Sequence, residues 1–366
     1  MTVASRKWVE PVEHPVSNEF RDAVGGHPVV AETLVARGQE TIDAAMAFMQ
    51  PEFYRPAPIR ELPGVLSAVE CLVQAHRHGL KICVWGDFDV DGQTSTALYV
   101  ETLRALGFTV EFHIPNRETE SHGVNMESLA KIIDAGAQLM LTCDTGIGAV
   151  EAVEYALSRD IDFIVTDHHD PPDKLPRARA LVNPKFLPRT HALRELPGVG
   201  VAYLVANCLV EELGSDFDMD QTLDLVALGI VADLAVQVRD VRYFLQLGIE
   251  QLRVTSRVGL KALMATSGIA AEQITEEQIG YVLGPRMNAL GRLSNASPSV
   301  EFLIGTDWSA AERFARRLES LNAERRQLSD AVFASATRMI ERDPGLLERA
   351  AIVMENPKWP AGVVGL

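Results

Sequence analysis

The four cysteines of this 366-residue chain (Cys71, Cys83, Cys143, Cys208) are widely spaced and form no Cys-x-x-Cys pair, which argues against both a thiolate zinc cluster and disulfides. Three of them lie in apolar runs and read as buried reduced thiols. Basic charge is also scarce: 34 Lys and Arg against 50 Asp and Glu give a net charge of -16. That sum excludes a general polyanion binder, because affinity for nucleic acid rests on phosphate neutralisation. It does not exclude a local basic surface, and carboxylates that hold divalent ions count as negative in it although the ions would neutralise them. Long apolar runs are missing too, the richest (Leu225 to Val236) being broken by Asp233. Met1 to Pro11 carries charges rather than the apolar stretch of a signal peptide, so a cytoplasmic location without membrane association is expected. No internal repeat or low-complexity tract is present.

What is present is a globular composition, 47% hydrophobic and 23% charged, with length enough for two or more domains. From Gly64 to Val165, helical periodicity alternates with short β-rich runs, the signature of βαβ units and a parallel sheet. The spacing predicts helices at Gly64 to His78, Thr94 to Leu106, Met126 to Ala135 and Ala149 to Ser158. Strands are predicted at Lys81 to Gly86, Thr109 to Ile114, Leu139 to Cys143 and Phe163 to Thr166. After a break at Pro171, Pro172 and Pro176 the chain turns helical, with apolar helices at Gly198 to Gly214 and Thr222 to Ala232. Gly284 to Ala296 reads as a Gly/Pro/Asn-punctuated loop. Ser309 to Glu341 reads as one long helix or two, stopped by Asp343-Pro344-Gly345, with a length that suits a connector. Ala350 to Met354 reads as the first strand of a further domain.

Ligands of open α/β sheets bind beyond the carboxyl ends of the strands, and the polar clusters obey that rule. Asp87-Phe88-Asp89-Val90-Asp91-Gly92 follows the first strand, Arg117 the second, Asp144 the third and Asp167-His168-His169 the fourth. The first string also opens an EF-hand calcium loop, but the twelfth position would be Leu98 instead of a bidentate Glu, and a strand precedes it. An acidic turn, a helix N-cap at Asp144 and a surface turn at the histidines are the bland alternatives when each is taken alone. Two adjacent histidines cannot both face one point from a regular strand, so one could be a ligand and the other an orienting or phosphate-facing group. Asp233, near the end of an apolar helix, is costly to bury without a cation. Taken together these positions supply five to seven ligands, mostly oxygen, which suits two divalent cations sharing a carboxylate for phosphate-ester hydrolysis.

These strings, Gly86-Asp87-Phe88-Asp89-Val90-Asp91-Gly92, Cys143-Asp144-Thr145-Gly146-Ile147 and Val165-Thr166-Asp167-His168-His169, resemble the motifs of the DHH phosphoesterase superfamily. Within it the chain is similar to the RecJ-type single-strand-specific DNA exonucleases. Supporting strings are Ile114-Pro115-Asn116-Arg117, Gly198-Val199-Gly200-Val201-Ala202, Asp224 to Gly229 with Val231-Ala232-Asp233, and Gly284-Pro285-Arg286-Met287-Asn288-Ala289-Leu290-Gly291-Arg292. The similarity runs from about His27 to the last residue.

The resemblance implies an α/β fold: a parallel-sheet phosphoesterase domain with helices on both faces, a helical second half and a long connecting helix. It implies an N-terminal extension over 1–60 packed on that domain, the DHH domain over 61–308, the connector over 309–345, and the start of a truncated second domain over 346–366. Asp87, Asp89, Asp91, Asp144, His168 and Asp233 would hold two divalent cations, Mn2+ or Mg2+, with Asp144 as the bridge and His169 beside them. Arg117 and Arg292 would grip substrate phosphates, with Arg286 and Asn288 of the same string as further substrate contacts. The implied reaction is stepwise hydrolysis of single-stranded DNA from its 5′ end to 5′-mononucleotides, in repair and recombination. The implied enzyme is a monomer, with a single-strand-binding protein and a helicase as partners. The chain departs from the family pattern at Ser121-His122-Gly123, where Gly-Tyr-Gly is usual. The tail Trp359 to Gly365 resembles the opening of the family's second domain, so a truncated product with weak activity on DNA is expected. Alternatives are a DHH hydrolase acting on pyrophosphate, short oligonucleotides or cyclic dinucleotides, and an inactive scaffold.

Overall fold

The computed structural model describes residues 9, 10 and 14–365. Apart from residues 9 and 10, the charged stretch Met1 to Pro11 lies outside them, as does Leu366 at the end of the expected second domain. The chain divides into two compact units, Met1–Pro56 and Ala57–Leu366. In the first, α1 (Asn18–Val24), α2 (Pro28–Ala36) and α3 (Ile42–Met49) bury Phe20, Ala31, Leu34 and Ala45 against one another.

In the second unit, α4 (Val65–His78) leads into β1 (Lys81–Trp85), α5 (Val90–Ala105), β2 (Thr109–His113) and α6 (Met126–Asp134). Then come β3 (Leu139–Cys143), α7 (Val150–Ser158), β4 (Asp162–Thr166) and β5 (Ala180–Val182). All neighbouring strands pair in parallel, in the order β2-β1-β3-β4-β5. Alternate side chains enter two different cores. Ile82, Val84, Leu139, Leu141 and Ile164 pack with α4, α5 and the helical half, whereas Cys83, Trp85, Met140, Phe163 and Val165 pack with α6 and α7. In this strand order the chain reverses direction between β1 and β3, and the crevice at such a switch point is where doubly wound sheets bind ligands.

The helical half comprises α8 (Gly198–Leu213), α9 (Leu223–Ala232), α10 (Arg239–Arg253) and α11 (Val258–Thr266). A single turn, α12 (Glu276–Gln278), then runs through a π-helical stretch into α13 (Gly284–Leu293), followed by α14 (Pro298–Ile304) and the 35-residue α15 (Trp308–Arg342). A buried ion-pair network ties these helices to the sheet layer: Arg257 donates to Asp224 of α9 at 2.8 Å and to Glu101 of α5 at 2.6 Å. None of the four cysteines, all buried, is bonded to another.

Three sequence expectations are corrected. Helix α5 begins at Val90 rather than Thr94, because Asp89 caps it by accepting from the Gly92 N–H at 3.0 Å. The hydroxyls of Thr94, Ser95 and Thr96, at the start of the predicted helix, are satisfied on the carbonyls four residues back. Ala350 to Met354 forms no strand, as no neighbouring strand pairs with it among the described residues. Gly284 to Ala296 is largely helix rather than loop. Pro285 falls in the first turn of α13, where its missing N–H costs nothing, and the glycines are there for close packing. A Cβ on Gly291 would lie 2.1 Å from the Phe88 carbonyl oxygen. The short strand β5 had no periodic signal in three residues and was not expected.

Replacing a solvent-facing helical glycine by alanine stabilises by roughly 1 kcal/mol. Here the sign reverses: Gly291→Ala forces α13 off the loop that follows β1 and lowers the melting temperature, by the equivalent of about 1–3 kcal/mol of overpacking. A thermal melt equal to or above that of the unmodified chain would show that α13 is not seated on that loop.

Candidate metal centre

Five carboxylates and a histidine converge beyond the β1 and β3 ends. Asp87 and Asp144 follow those strands directly, Asp89 and Asp91 occupy the cap and first turn of α5, and Asp233 is the C-terminal cap of α9. His168 follows β4 and aims at all three groups of elements. Its Nε2 lies 3.0 Å from Asp144 Oδ1 and 3.7 Å from Asp91 Oδ2, and its Nδ1 lies 4.0 Å from Asp233 Oδ2.

Three of the carboxylates accept backbone N–H groups, Asp89 from Gly92 as the cap of α5. The Asp91 oxygens accept from the N–H groups of Gly198 and Val199 at 2.6 and 2.8 Å, at the amino end of α8, where the helix dipole favours an anion. Asp87 accepts from its neighbour Phe88 N–H at 2.8 Å. Asp144 does not cap a helix; it sits in the left-handed region, at a φ of 60°, pressed against the start of α8 so closely that a Cβ on Gly198 would stand 2.6 Å from its own Cβ. Strained backbone of this kind persists only where its surroundings enforce it.

The electrostatics follow from that crowding. Burial, then the nearby Asp91, Asp89 and Asp87, drive the Asp144 carboxyl well above its ordinary value. Burial, then Asp233 and Asp89, do the same to Asp91. Asp89 is raised by burial and Asp87, and Asp233 is pushed up to about 6 by burial and Asp89. Burial, then the neighbouring His169, depresses His168 to about 4, so its imidazole is neutral and free to offer a lone pair.

A divalent cation fits this set. Ligand atoms gather within 4.8 Å in two groups, Asp87 with Asp89 and Asp144, and Asp91 with His168 and Asp233. A third group, Asp144 with His168 and His169, links them. Asp144 Oδ1 and His168 Nε2 are both buried without a hydrogen-bond partner although they lie 3.0 Å apart. Their distance meets the ion-pair limit but their directions make no hydrogen bond. Two acceptor atoms converging without a proton between them is the spacing of adjacent ligands on an ion with bonds of about 2.1 Å.

The two adjacent histidines do different things. His169 Nδ1 lies 2.7 Å from Asp167 Oδ1. Asp167 also accepts from the N–H groups of Ile147, His168 and His169. Burial opposes charge on Asp167, but the His169 hydrogen bond and charge, with the backbone donors, outweigh it and hold the carboxyl below its usual range. The same hydrogen bond raises His169 to about 9 against the opposing effect of burial, so it is cationic at neutral pH. Asp167 stood in the fourth polar cluster of the sequence but was given no role there; its place at a strand end before two histidines was the available signal.

A basic patch adjoins the acidic one. The Arg117 guanidinium lies 4.4 Å over the Phe88 ring, with its buried Nε unpartnered. Arg292 donates to the Gly362 carbonyl at 3.1 Å and loses proton affinity through burial and the nearby charges of Arg117 and Arg325. Arg325, which no motif flagged, extends the buried stripe Ala311, Ala315, Leu318 and Asn322 of α15. None of the three has a carboxylate at salt-bridge distance among the described residues. Arg286 is not with them: it bonds Glu319 at 2.6 Å and the Val282 carbonyl, fastening α13 to α15. Asn288 is half-buried on α13.

Residues 81–230 match the model of the DHH family, N-terminal domain. The single-stranded-DNA-specific exonuclease RecJ of Bacillus subtilis is 39% identical over 342 residues, 93% of this chain and 42% of that protein. The chain spans 56% of the Escherichia coli exonuclease of the same name, at 37% identity. Among solved structures, exonuclease RecJ bound to manganese superposes with a TM-score of 0.76 at 32% identity, covering 85% of this chain and 77% of that one. RecJ of Thermus thermophilus in complex with Mn2+ gives 0.73 at 30% identity, over 93% of this chain and 50% of that one. With the sheet order, the carboxylate cluster and these similarities in agreement, the chain belongs to the RecJ family of the DHH superfamily.

Proposed function

We propose that this chain carries the metal-binding part of a single-stranded-DNA exonuclease that works from the 5′ end and releases 5′-mononucleotides in repair and recombination. The observation that supports it most is the pair of ligand groups, Asp87 with Asp89 and Asp144 and Asp91 with His168 and Asp233, joined where Asp144 meets His168 and set beside arginines that lack carboxylate partners. Asp87, Asp89 and Asp144 would hold one divalent cation, Mn2+ or Mg2+, and Asp91, His168 and Asp233 the other. Such ions activate water and stabilise the oxygen that departs.

The chain's own residues do the rest. Arg117 and Arg292 bind phosphate oxygens through their guanidinium forks, with Arg325 adding to the same field. His169, fixed by Asp167 through Nδ1, keeps Nε2 for the substrate and carries positive charge against a phosphate. The strand is delivered by a helicase and a single-strand-binding protein in this proposal, since a duplex must first be opened. The chain spans 42% of the Bacillus subtilis exonuclease and 56% of the Escherichia coli one.

Removing the charge at Asp144 tests the shared-ligand role. Asparagine tolerates a positive φ better than alanine, so Asp144→Asn isolates the carboxylate from the backbone. The variant is expected to fold, to lose at least one Mn2+ by calorimetry, and to lose hydrolysis of 5′-phosphorylated single-stranded DNA in a longer version carrying the remaining RecJ region. Retained hydrolysis would end the two-cation assignment, and a preference of that longer version for pyrophosphate would end the nuclease reading.

The metal-free chain also has a predictable pH response. Groups whose folded pKa is raised contribute stability at low pH that is lost as pH rises through the folded value. Asp233 (about 6), His169 (about 9), Asp89, Asp91 and Asp144 are all of this kind. His168, lowered to about 4, works in the opposite sense, but only below its unfolded value near 6.5. Asp233 has given up its contribution by about pH 6, whereas that of His169 is lost between its ordinary value of 6.5 and about 9, so the melting temperature should fall from pH 6.5 to 9 in chelator. Mn2+ should restore more stability at pH 8 than at pH 6. Equal stabilisation at both values would contradict a carboxylate-borne site.

A further inference from the structure

A cavity of about 770 Å³ opens directly onto the acidic cluster. That volume lies within the roughly 300–1,000 Å³ of pockets that enclose small organic molecules. On one side it is bounded by Asp87, Asp144 and His169; its other walls include Val124, Met126 and Ile147. The turn Thr145 to Gly148 also lines it, and Gly146 there has a φ of 108°. Away from the acidic cluster, Lys174 is exposed and lies 3.6 Å from Glu154, so it offers no fixed reader of a base edge. His122 lines the cavity and its ring lies 4.4 Å from that of Phe88; Arg117 also lies against Phe88 but does not line the cavity. Arg117 thus lies outside the cavity, whose charged groups Asp87, Asp144, Asp167 and His169 belong to the acidic cluster, with Glu151 and Lys174 elsewhere on the lining and Val124, Met126 and Ile147 forming an apolar wall between.

We propose that this cavity seats the nucleoside of the nucleotide whose phosphate lies at the carboxylate cluster, holding base and sugar by shape and apolar contact. The proposal rests on the phosphodiester reading above and adds a subsite to it. Its chemistry fits an enzyme that must accept every base: apolar walls and an imidazole face give contact without a hydrogen-bond code. His122 thereby supplies an aromatic surface at the rim, 66% exposed in its side chain and 3.5 Å from Asp87 through Nδ1.

Gly148 gives a clean test. It lines the cavity, and a Cβ there meets nothing within 4 Å, so a large side chain can enter the space without displacing protein atoms. Calorimetry on the Mn2+-loaded chain would compare deoxyadenosine 5′-monophosphate, deoxythymidine 5′-monophosphate and inorganic phosphate on the unmodified chain, Gly148→Trp and Gly148→Ala. The expected result is that both nucleotides bind the unmodified chain more tightly than phosphate does, within about threefold of each other. Gly148→Trp should weaken both by about tenfold or more while leaving Mn2+ and phosphate affinity unchanged, with Gly148→Ala close to the unmodified chain. Unchanged nucleotide affinity in Gly148→Trp, with Mn2+ and phosphate still bound, would overturn the subsite and leave the nuclease reading standing. A preference above about tenfold for one base would overturn recognition by shape alone. Failure of Mn2+ or phosphate to bind the unmodified chain would overturn the nuclease reading itself, and the subsite with it.

Discussion

Like charges held within a few ångströms, in a place water barely reaches, are the constraint around which this protein is arranged. Asp91 and Asp144 are 1% and 2% exposed, and no lysine or arginine pairs with either among the described residues. Folding has to hold them together against their mutual repulsion, and it does so with geometry that is already fixed for other reasons. The amino end of α8 supplies two N–H donors to Asp91, the cap of α5 positions Asp89, and the strained turn after β3 fixes Asp144. The repulsion is left in place because the cations relieve it, so part of the binding energy of the metals is stored as instability of the metal-free cluster.

The same constraint explains why the helical half is needed. The sheet alone contributes Asp87, Asp144 and His168, which would be too few donors for the two proposed cations. Asp233 reaches the site because α9 ends there, and Asp91 is held because α8 begins there. Gly229 in α9 lies so close to Asp91 that a Cβ would approach its Oδ1 to 3.0 Å. Small residues on these helices are spacers that let charged side chains meet.

The layout of the sheet was legible because burial on two faces writes period-2 patterns that survive in sequence, as at Ile82-Cys83-Val84-Trp85. The acidic and histidine positions were legible because carboxylates at strand ends have few structural uses. Three things were hidden, each for a physical reason. The first turn of α5, Val90 to Gln93, is polar and rests on the Asp89 cap, so it shows no apolar period and falls outside the predicted helix. Close backbone contact, as between Gly291 and Phe88, leaves no signature beyond a glycine. Long-range pairing is silent as well: Arg286 in its motif looked the same as Arg292, yet Glu319, 33 positions away, takes it out of the basic patch.

Net charge offers the last step. Under the proposed reaction a chain at -16 has to confine its positive potential, and withholding partners from a few arginines would do so. Arg286, Arg253 and Arg257 are neutralised by nearby carboxylates, whereas Arg117, Arg292 and Arg325 are not, and their charges lower one another's proton affinity at Arg292. Mutual repulsion among cations next to a cluster of mutually repelling anions is unfavourable on both sides unless the two patches receive different ligands. Divalent ions fit one and phosphates the other, and a phosphodiester placed between them satisfies both at once. In the proposed reaction the acidic charge elsewhere would disfavour additional phosphate contacts and so concentrate affinity between the two patches.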